Sequence, residues 1–373
     1  MNTLKEIGKR GQSIWLDYIR RDLLETGKLK QMIDDDDLKG MTSNPSIFEM
    51  AIAESTLYDS EIQDLAAKKK NVSVIYETLT HEDVQMAADI FLPVYKVSNG
   101  HDGYVSLEVN PHLAHDTKAT IEEARRLWIE LNRPNVLIKV PATKEGIPAI
   151  QQLIYEGINV NVTLLFDLTR YREVALAFIA GLEQRDAEGK SIQNIASVAS
   201  FFLSRIDSEV DPKEAQFIAE SGEQAHFATN IRGQVAIASA KMAYKIYKEL
   251  FHSERFMLLV HKGALPQRLL WASTKTKNPE YSDVKYVDAL IGRNTVNTIP
   301  LETLEAYRDH GKPASSLDDH LEKASWVLSE LPEIGIDLKA ITTFLEKDGV
   351  AKFIASYDKL LKAVEKKIMN YKL

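Results

Sequence analysis

The strongest constraint on how this chain folds is a repeated alternation. Eight short apolar segments are each followed by a longer stretch with helical spacing. The short segments are residues 13–17, 40–44, 104–109, 136–140, 158–163, 195–200, 269–274 and 295–300. Runs of that length bounded by turn residues read as strands rather than helices. Between them, Asp116 offers an N-cap, and Ile121, Ala124, Trp128 and Leu131 then recur at helical spacing. Val235, Ala238, Met242, Ile246 and Leu250 form a second apolar stripe of the same kind. Strands alternating with helices make an α/β protein with a parallel sheet. Eight such units favour closure into a single (β/α)8 TIM barrel, with a doubly wound open sheet as the alternative because two strands are weak. Residues after 317 read as amphipathic helices. The expected organisation is one barrel domain over 1–373, with 317–373 as a helical C-terminal extension.

Composition narrows the chemistry. The 373 residues include no cysteine, which removes disulfides, thiolate metal sites and a cysteine nucleophile together. Lys and Arg number 46 against 54 Asp and Glu, so the net charge of −8 gives no basic footprint for nucleic acid. No run approaches 18 apolar residues, and the first thirty residues carry charges every few positions. A cytoplasmic protein without membrane or nucleic-acid partners is the expectation. The Asp34–Asp37 run lacks the spacing and central glycine of a calcium loop and reads as a solvated loop. His112 and His115 sit three apart without an evident third ligand, so no metal is expected. Neither GxGxxG nor GxxxxGK[ST] occurs.

Side chains alternate between the two faces of a strand, so parity sorts the polar residues. Lys139 shares a face with Leu137, opposite Val136, Ile138 and Val140, and in a barrel points inward. An ammonium there is costly unless partners compensate it or the amine is neutral. Asp17 falls with Ser13 and Trp15, Thr42 with Asn44, and Glu108 with Ser106. Asn159, Asn161 and Thr163 share one face, Ser200 lies with Ala196 and Val198, and Ser273 with Trp271. Nearly all these groups cluster at C-terminal strand ends, where barrel enzymes carry their active sites. Each alone fits a buried ion pair that only tolerates its charge. Together they point to a site, because a core gains little from so many buried polar groups. An interior lysine flanked by carboxylates suits amine addition to a ketone, with the iminium as electron sink for carbon–carbon cleavage.

At these residues the sequence resembles the transaldolases. The segments that carry the likeness are TSNPSIF (42–48), VSLEV (105–109), LIKVPAT (137–143), NVTLLF (161–166), SFFLSRID (200–207) and WASTKTKNP (271–279). The last of these, with the long C-terminal helical region, looks like the longer bacterial and plant-type subfamily. The resemblance implies a (β/α)8 barrel and cofactor-independent transfer of a dihydroxyacetone unit between sugar phosphates of the pentose phosphate pathway. It implies that Lys139 forms the Schiff base and that Asp17 moves the proton of the hydroxyl beside the cleaved bond. Glu108 and Thr163 would hold a catalytic water. Asn44 and Asn161 would bind hydroxyls of the dihydroxyacetone unit, with Thr42 and Ser200 in the same pocket. Phe202 stands where the related fructose-6-phosphate aldolases have Tyr, which favours transfer over lysis. Arg205 and Ser273 match phosphate-binding positions. Where shorter relatives carry a second arginine this chain has Lys275, with Lys277 close behind; either could serve, or both could face solvent. Asn110 departs from the family pattern, and His115 reads as loop. An aldolase that releases free dihydroxyacetone, and a catalytically silent barrel that binds sugar phosphates, stand as the alternatives. The state of assembly is left between monomer and homodimer.

Overall fold

Eight parallel strands pair with their neighbours in chain order, and the first pairs with the last, so the sheet is a closed barrel. They are β1 (Gln12–Asp17), β2 (Gly40–Thr42), β3 (Tyr104–Glu108), β4 (Val136–Pro141), β5 (Val160–Leu165), β6 (Ser197–Phe202), β7 (Arg268–Ala272) and β8 (Thr295–Ile299). The computed structural model describes residues 2–220 and 222–370. Helices fill every interval between strands. The helix Thr117–Leu131 starts where the spacing placed it, with Asp116 accepting from the Ala119 N–H. In the helix Val235–Phe251, Val235 and Ala238 are buried, while Met242, Ile246 and Leu250 pack partly buried against the core. After residue 317 come the helices Leu321–Glu330 and Leu338–Asn370, as the amphipathic spacing required.

Inside the barrel the register aligns the inward residues in layers. Trp15 pairs with Gly40, Asp17 with Thr42, and Glu108 with Lys139, which pairs on its other side with Asn161. Gly40 has a steric reason: a Cβ there would lie 2.7 Å from the Trp15 ring and 2.8 Å from the Tyr104 carbonyl oxygen. The indole of Trp15 therefore fills the lower interior only because β2 carries no side chain at that point.

Beneath it, a buried polar group closes the N-terminal end of the barrel. Arg268 donates to Asp102 at 2.9 Å and to the His101 carbonyl at 2.5 Å. Ser13 and Trp15 donate to the same carboxylate, at 2.8 and 3.3 Å. Removing one partner of a buried ion pair leaves the other charge uncompensated, which costs about 3–5 kcal/mol. Asp102→Ala should lower the unfolding free energy in denaturant titration by about that amount; a change within the noise of the titration would show the pair to be dispensable.

Two local expectations are corrected. The Asp34–Asp37 run is not a solvated loop: Asp34, Asp35 and Asp36 end the helix Lys28–Asp36. Asp36 is buried and receives Arg308 through two hydrogen bonds, at 3.1 and 2.5 Å. Asn159 does not continue the row of Asn161 and Thr163, since its amide is bonded to the backbone of Pro134, Val136 and Ala196 below the site.

The helix Leu338–Asn370 crosses the C-terminal face of the barrel and packs along the helix Pro45–Ala53. Ser356 and Ser46 share a hydrogen bond at 2.8 Å, and Lys367 donates to the Ser55 carbonyl at 2.6 Å and to Asp59 at 2.5 Å. No helix among the described residues is long and apolar enough to cross a membrane.

Candidate active site

At the C-terminal end of the strands the barrel opens into a cavity of about 370 Å³. Asp17, Thr42, Asn44, Lys139, Thr163, Ser200, Phe202, Arg205, Ser273 and Lys275 all border it. Of the residues that the resemblance assigns to the site, Glu108 and Asn161 do not border it.

Lys139 stands on β4 with 5% of its surface exposed. Its Nζ donates to the Ser43 carbonyl at 2.9 Å and lies 3.6 Å from Glu108 Oε2. Asp17, at the end of β1, accepts from Thr42 Oγ1 at 2.7 Å, and Thr42 shares a 2.6 Å hydrogen bond with Thr298. Loss of water around Asp17 raises its carboxyl above the ordinary value, while Lys139 and the Thr42 hydroxyl oppose the rise. One carboxylate thus faces the open cavity beside the amine, and the other sits behind it.

Glu108 is buried, and neither carboxylate oxygen receives a protein hydrogen bond. Burial pushes it up to about 7, with Lys139 pulling the other way. The folded chain therefore keeps this proton over a range where the unfolded chain, near 4.5, has released it. Proton binding then exceeds that of the unfolded state between those values, so stability falls as pH rises through the window, by at most about 1.4 kcal/mol per pH unit. Glu108→Gln should flatten that part of the stability profile. Parallel profiles for variant and native chain, measured by denaturant titration from pH 4 to 8, would contradict it.

Asn161 is fully buried, its amide donating to Ser106 Oγ at 3.0 Å and accepting from Ser200 Oγ at 2.7 Å. Both ends of the amide are occupied, so Ser200 is the member of this pair that reaches the cavity. Asn44 lies beyond the end of β2 and caps the helix Pro45–Ala53, accepting from the Ile47 N–H at 3.0 Å. Strand parity does not govern it.

Parity also failed at Ser273, for a visible reason. Trp271 pairs with Phe201 and bonds the Leu290 carbonyl in the helical layer, so its face is the outer one. Ser273 follows the strand with φ of 54°, and this left-handed turn brings its side chain back to the cavity, 2.9 Å from Ser204 Oγ. A second such point is Leu164, at φ 55°, where the β5–β6 register shifts just after Thr163. Non-glycine residues in this region concentrate at functional sites, where surrounding packing holds them.

The far side of the cavity is cationic. Arg205 follows β6, its guanidinium 5.4 Å from the Phe202 ring centroid, with a buried Nη1 that has no protein partner. Lys275 is exposed and donates to Glu302 at 2.5 Å. Loss of water, then the neighbouring Lys275 and Arg205 cations, lower the Lys277 ammonium from its usual value. Three cations at one wall, with one carboxylate among them, suit a bound anion.

Other cavity residues had not been singled out. Thr298 pairs with the inward Trp15 and shares the inner face of β8 with Val296, so parity could have found it. Tyr18 and Glu302 lie outside strands, and Phe353 comes from the helix Leu338–Asn370, where its apolar spacing looks like any core position. His112 and His115 face Asp358 at 2.8 Å and Glu145 at 3.2 Å rather than a common point. Asn110 caps the turn Pro111–Leu113 through the His112 N–H.

Residues 14–364 match the family model described as Transaldolase/Fructose-6-phosphate aldolase. The chain belongs to this family. It is 47% identical to Transaldolase 2 of Nostoc sp., over 99% of this chain and 98% of the relative. Transaldolase of Trichodesmium erythraeum is 46% identical over 98% of each chain. Transaldolase of Mycobacterium bovis is 44% identical over 96% of this chain and 95% of its own. Phe202 borders the cavity without a hydroxyl and meets the Phe166 ring in a tilted arrangement, at a centroid distance of 5.1 Å.

Proposed function

We propose that this chain is a transaldolase acting through a Schiff base on Lys139. It would move a dihydroxyacetone unit between sedoheptulose 7-phosphate or fructose 6-phosphate and glyceraldehyde 3-phosphate or erythrose 4-phosphate. The observation that carries the reading is the buried Lys139 Nζ at the foot of a cavity that has Asp17 on one side. The full-length identity to transaldolases supports the same activity.

In this mechanism the Lys139 amine adds to the ketose C2, and the carbinolamine hydroxyl leaves as water on protonation from Glu108. Asp17 then takes the C4 hydroxyl proton while the C3–C4 bond breaks. The electron pair enters the iminium to give an enamine, and the aldehyde departs. An incoming aldose phosphate accepts the enamine carbon, Asp17 returns the proton, and water releases the new ketose. Thr163, whose buried hydroxyl has no protein partner, is suited to hold that water with Glu108. Thr42, Asn44 and Ser200 would orient the three-carbon unit. No cofactor enters these steps. We read the chain as one domain, acting in the cytoplasm.

Phe202 favours transfer over lysis, because no hydroxyl stands there to protonate the enamine and free dihydroxyacetone. The test is incubation with fructose 6-phosphate, with and without an acceptor chase, followed by borohydride reduction. A three-carbon adduct on Lys139 that disappears when erythrose 4-phosphate is added supports the reading. Steady release of dihydroxyacetone without acceptor would make the chain an aldolase, and ligand binding without any adduct would make it a silent barrel.

Phosphate binding would fall mainly to Arg205 and Ser273. A hydrogen bond to a charged group contributes about 1.5–3 kcal/mol, so Arg205→Ala should lower kcat/KM for phosphorylated donors by about 10- to 100-fold. Lys275, already held by Glu302 at the surface, should matter by less than about fivefold. Equal losses in the two variants, or an Arg205 effect just as large on unphosphorylated fructose, would reverse that assignment.

A further inference from the structure

We propose that Glu108 is served by a rear water path, separate from the substrate cavity, that runs outward between Tyr76 and Tyr357. The inference rests on the Schiff-base reading above and concerns where the released water goes.

Glu108 does not border the main cavity, yet two small cavities do touch it. Their volumes are about 10 and 20 Å³, close to the space one water needs. Glu108, Leu107, Tyr76 and Tyr357 line both, so the two spaces meet around the same four side chains. The inner one also touches Ser43 and Asn44, next to the carbonyl that accepts from Lys139. The outer one reaches Glu77, His81, Asn110 and Glu123. There Arg126 donates to Glu77 and Glu123 at 2.6 and 2.9 Å on a partly exposed surface. Polar groups therefore continue from the rear of the lysine to solvent.

The two tyrosines form the narrow part. Tyr76 belongs to the helix Val72–Val97 and Tyr357 to the helix Leu338–Asn370, and their rings meet edge to face at 5.2 Å. Burial raises both phenols, so they stay protonated and can accept from one neighbour while donating to the next. Both Glu108 oxygens are buried without protein hydrogen bonds, and a buried carboxylate in that state is stabilised by ordered water.

The path has a purpose in the reaction. A bound ketose fills the front of Lys139, so water formed when the carbinolamine loses its hydroxyl is confined on the Glu108 side. Glu108 gives the proton, the C2 oxygen departs as that water, and the nitrogen keeps its hydrogen as iminium. With a rear exit the water exchanges with solvent while the sugar remains bound. Without one, the same water returns to C2 on reversal.

Oxygen exchange reads this directly. Fructose 6-phosphate labelled with ¹⁸O at C2 is incubated with enzyme in ordinary water without acceptor, and label loss is divided by the borohydride-trapped adduct. In the Tyr76→Phe/Tyr357→Phe double variant this ratio should fall by about tenfold, below the direct effect of an acid–base group. Thr80→Leu, which adds bulk at the outer cavity, should give the same fall with both hydroxyls in place. An unchanged ratio in variants that still form adduct overturns the rear path. Absence of adduct in the native chain overturns the Schiff-base reading, and the rear path with it.

Discussion

Lys139→Met should remove the borohydride-trappable adduct altogether and lower transfer by at least about ten-thousand-fold, since the covalent route supplies much of an enzyme's acceleration. Methionine keeps the unbranched shape and fills the same volume on β4, so the barrel should stay folded. Its effect on Glu108 is informative as well. With the neighbouring cation gone, the carboxyl keeps its proton to still higher pH, because Lys139 was the main influence opposing the effect of burial. Of the two other lysines at the cavity, Lys275 is held at the rim by Glu302, and Lys277 stands on the cationic wall beside Lys275 and Arg205. Mass spectrometry of the reduced protein locates the adduct. A three-carbon adduct in the variant, or activity within about a hundredfold of native, would remove Lys139 from the centre of the mechanism.

Asp17→Asn should lower turnover by about 10²- to 10⁴-fold while leaving the adduct intact. The separation follows from position. On the proposed mechanism imine formation falls to Glu108 behind the lysine, whereas Asp17 borders the open cavity that would receive the C4 hydroxyl. The amide oxygen of asparagine can still accept from Thr42 Oγ1, so the 2.7 Å contact and the Thr42–Thr298 bond persist. What disappears is the capacity to carry a proton. Reduction with borohydride after mixing with fructose 6-phosphate should therefore trap the un-cleaved six-carbon ketose on Lys139. A three-carbon adduct formed at the native rate would show that another group breaks the bond.

Much of this site was legible from alternation alone. Lys139, Asp17, Thr42, Thr163 and Ser200 are inward residues of regular strands, and the two-residue period identifies them without coordinates. The period carries no information past the last paired residue. Asn44 belongs to a helix cap and Ser273 to a left-handed turn, and their positions depend on local backbone geometry. Glu108 obeys the parity, but its separation from the cavity depends on what Lys139 and Ser43 place in front of it. Asn161 likewise faces inward, yet Ser106 and Ser200 occupy its amide. Phe353 lies furthest from sequence reasoning. Its helix is amphipathic, and nothing in that pattern says which barrel face it will cross. Buried Asp36 shows the same limit away from the site, since its partner Arg308 is 272 residues away.

The closing of β1 against β8, and the crossing of the last helix over the barrel mouth, set a timetable for making this molecule. The first strand has no permanent neighbour on one side until residues 295–299 have been synthesised. Phe353 can complete the cavity wall only after a long stretch beyond β8 has followed. Contacts of such wide sequence separation form slowly. A ribosome-bound intermediate exposes an unpaired strand edge for most of elongation. The cavity is thus complete only after the helix Leu338–Asn370 has docked, and shorter nascent chains leave the β1 edge open to pairing with other chains.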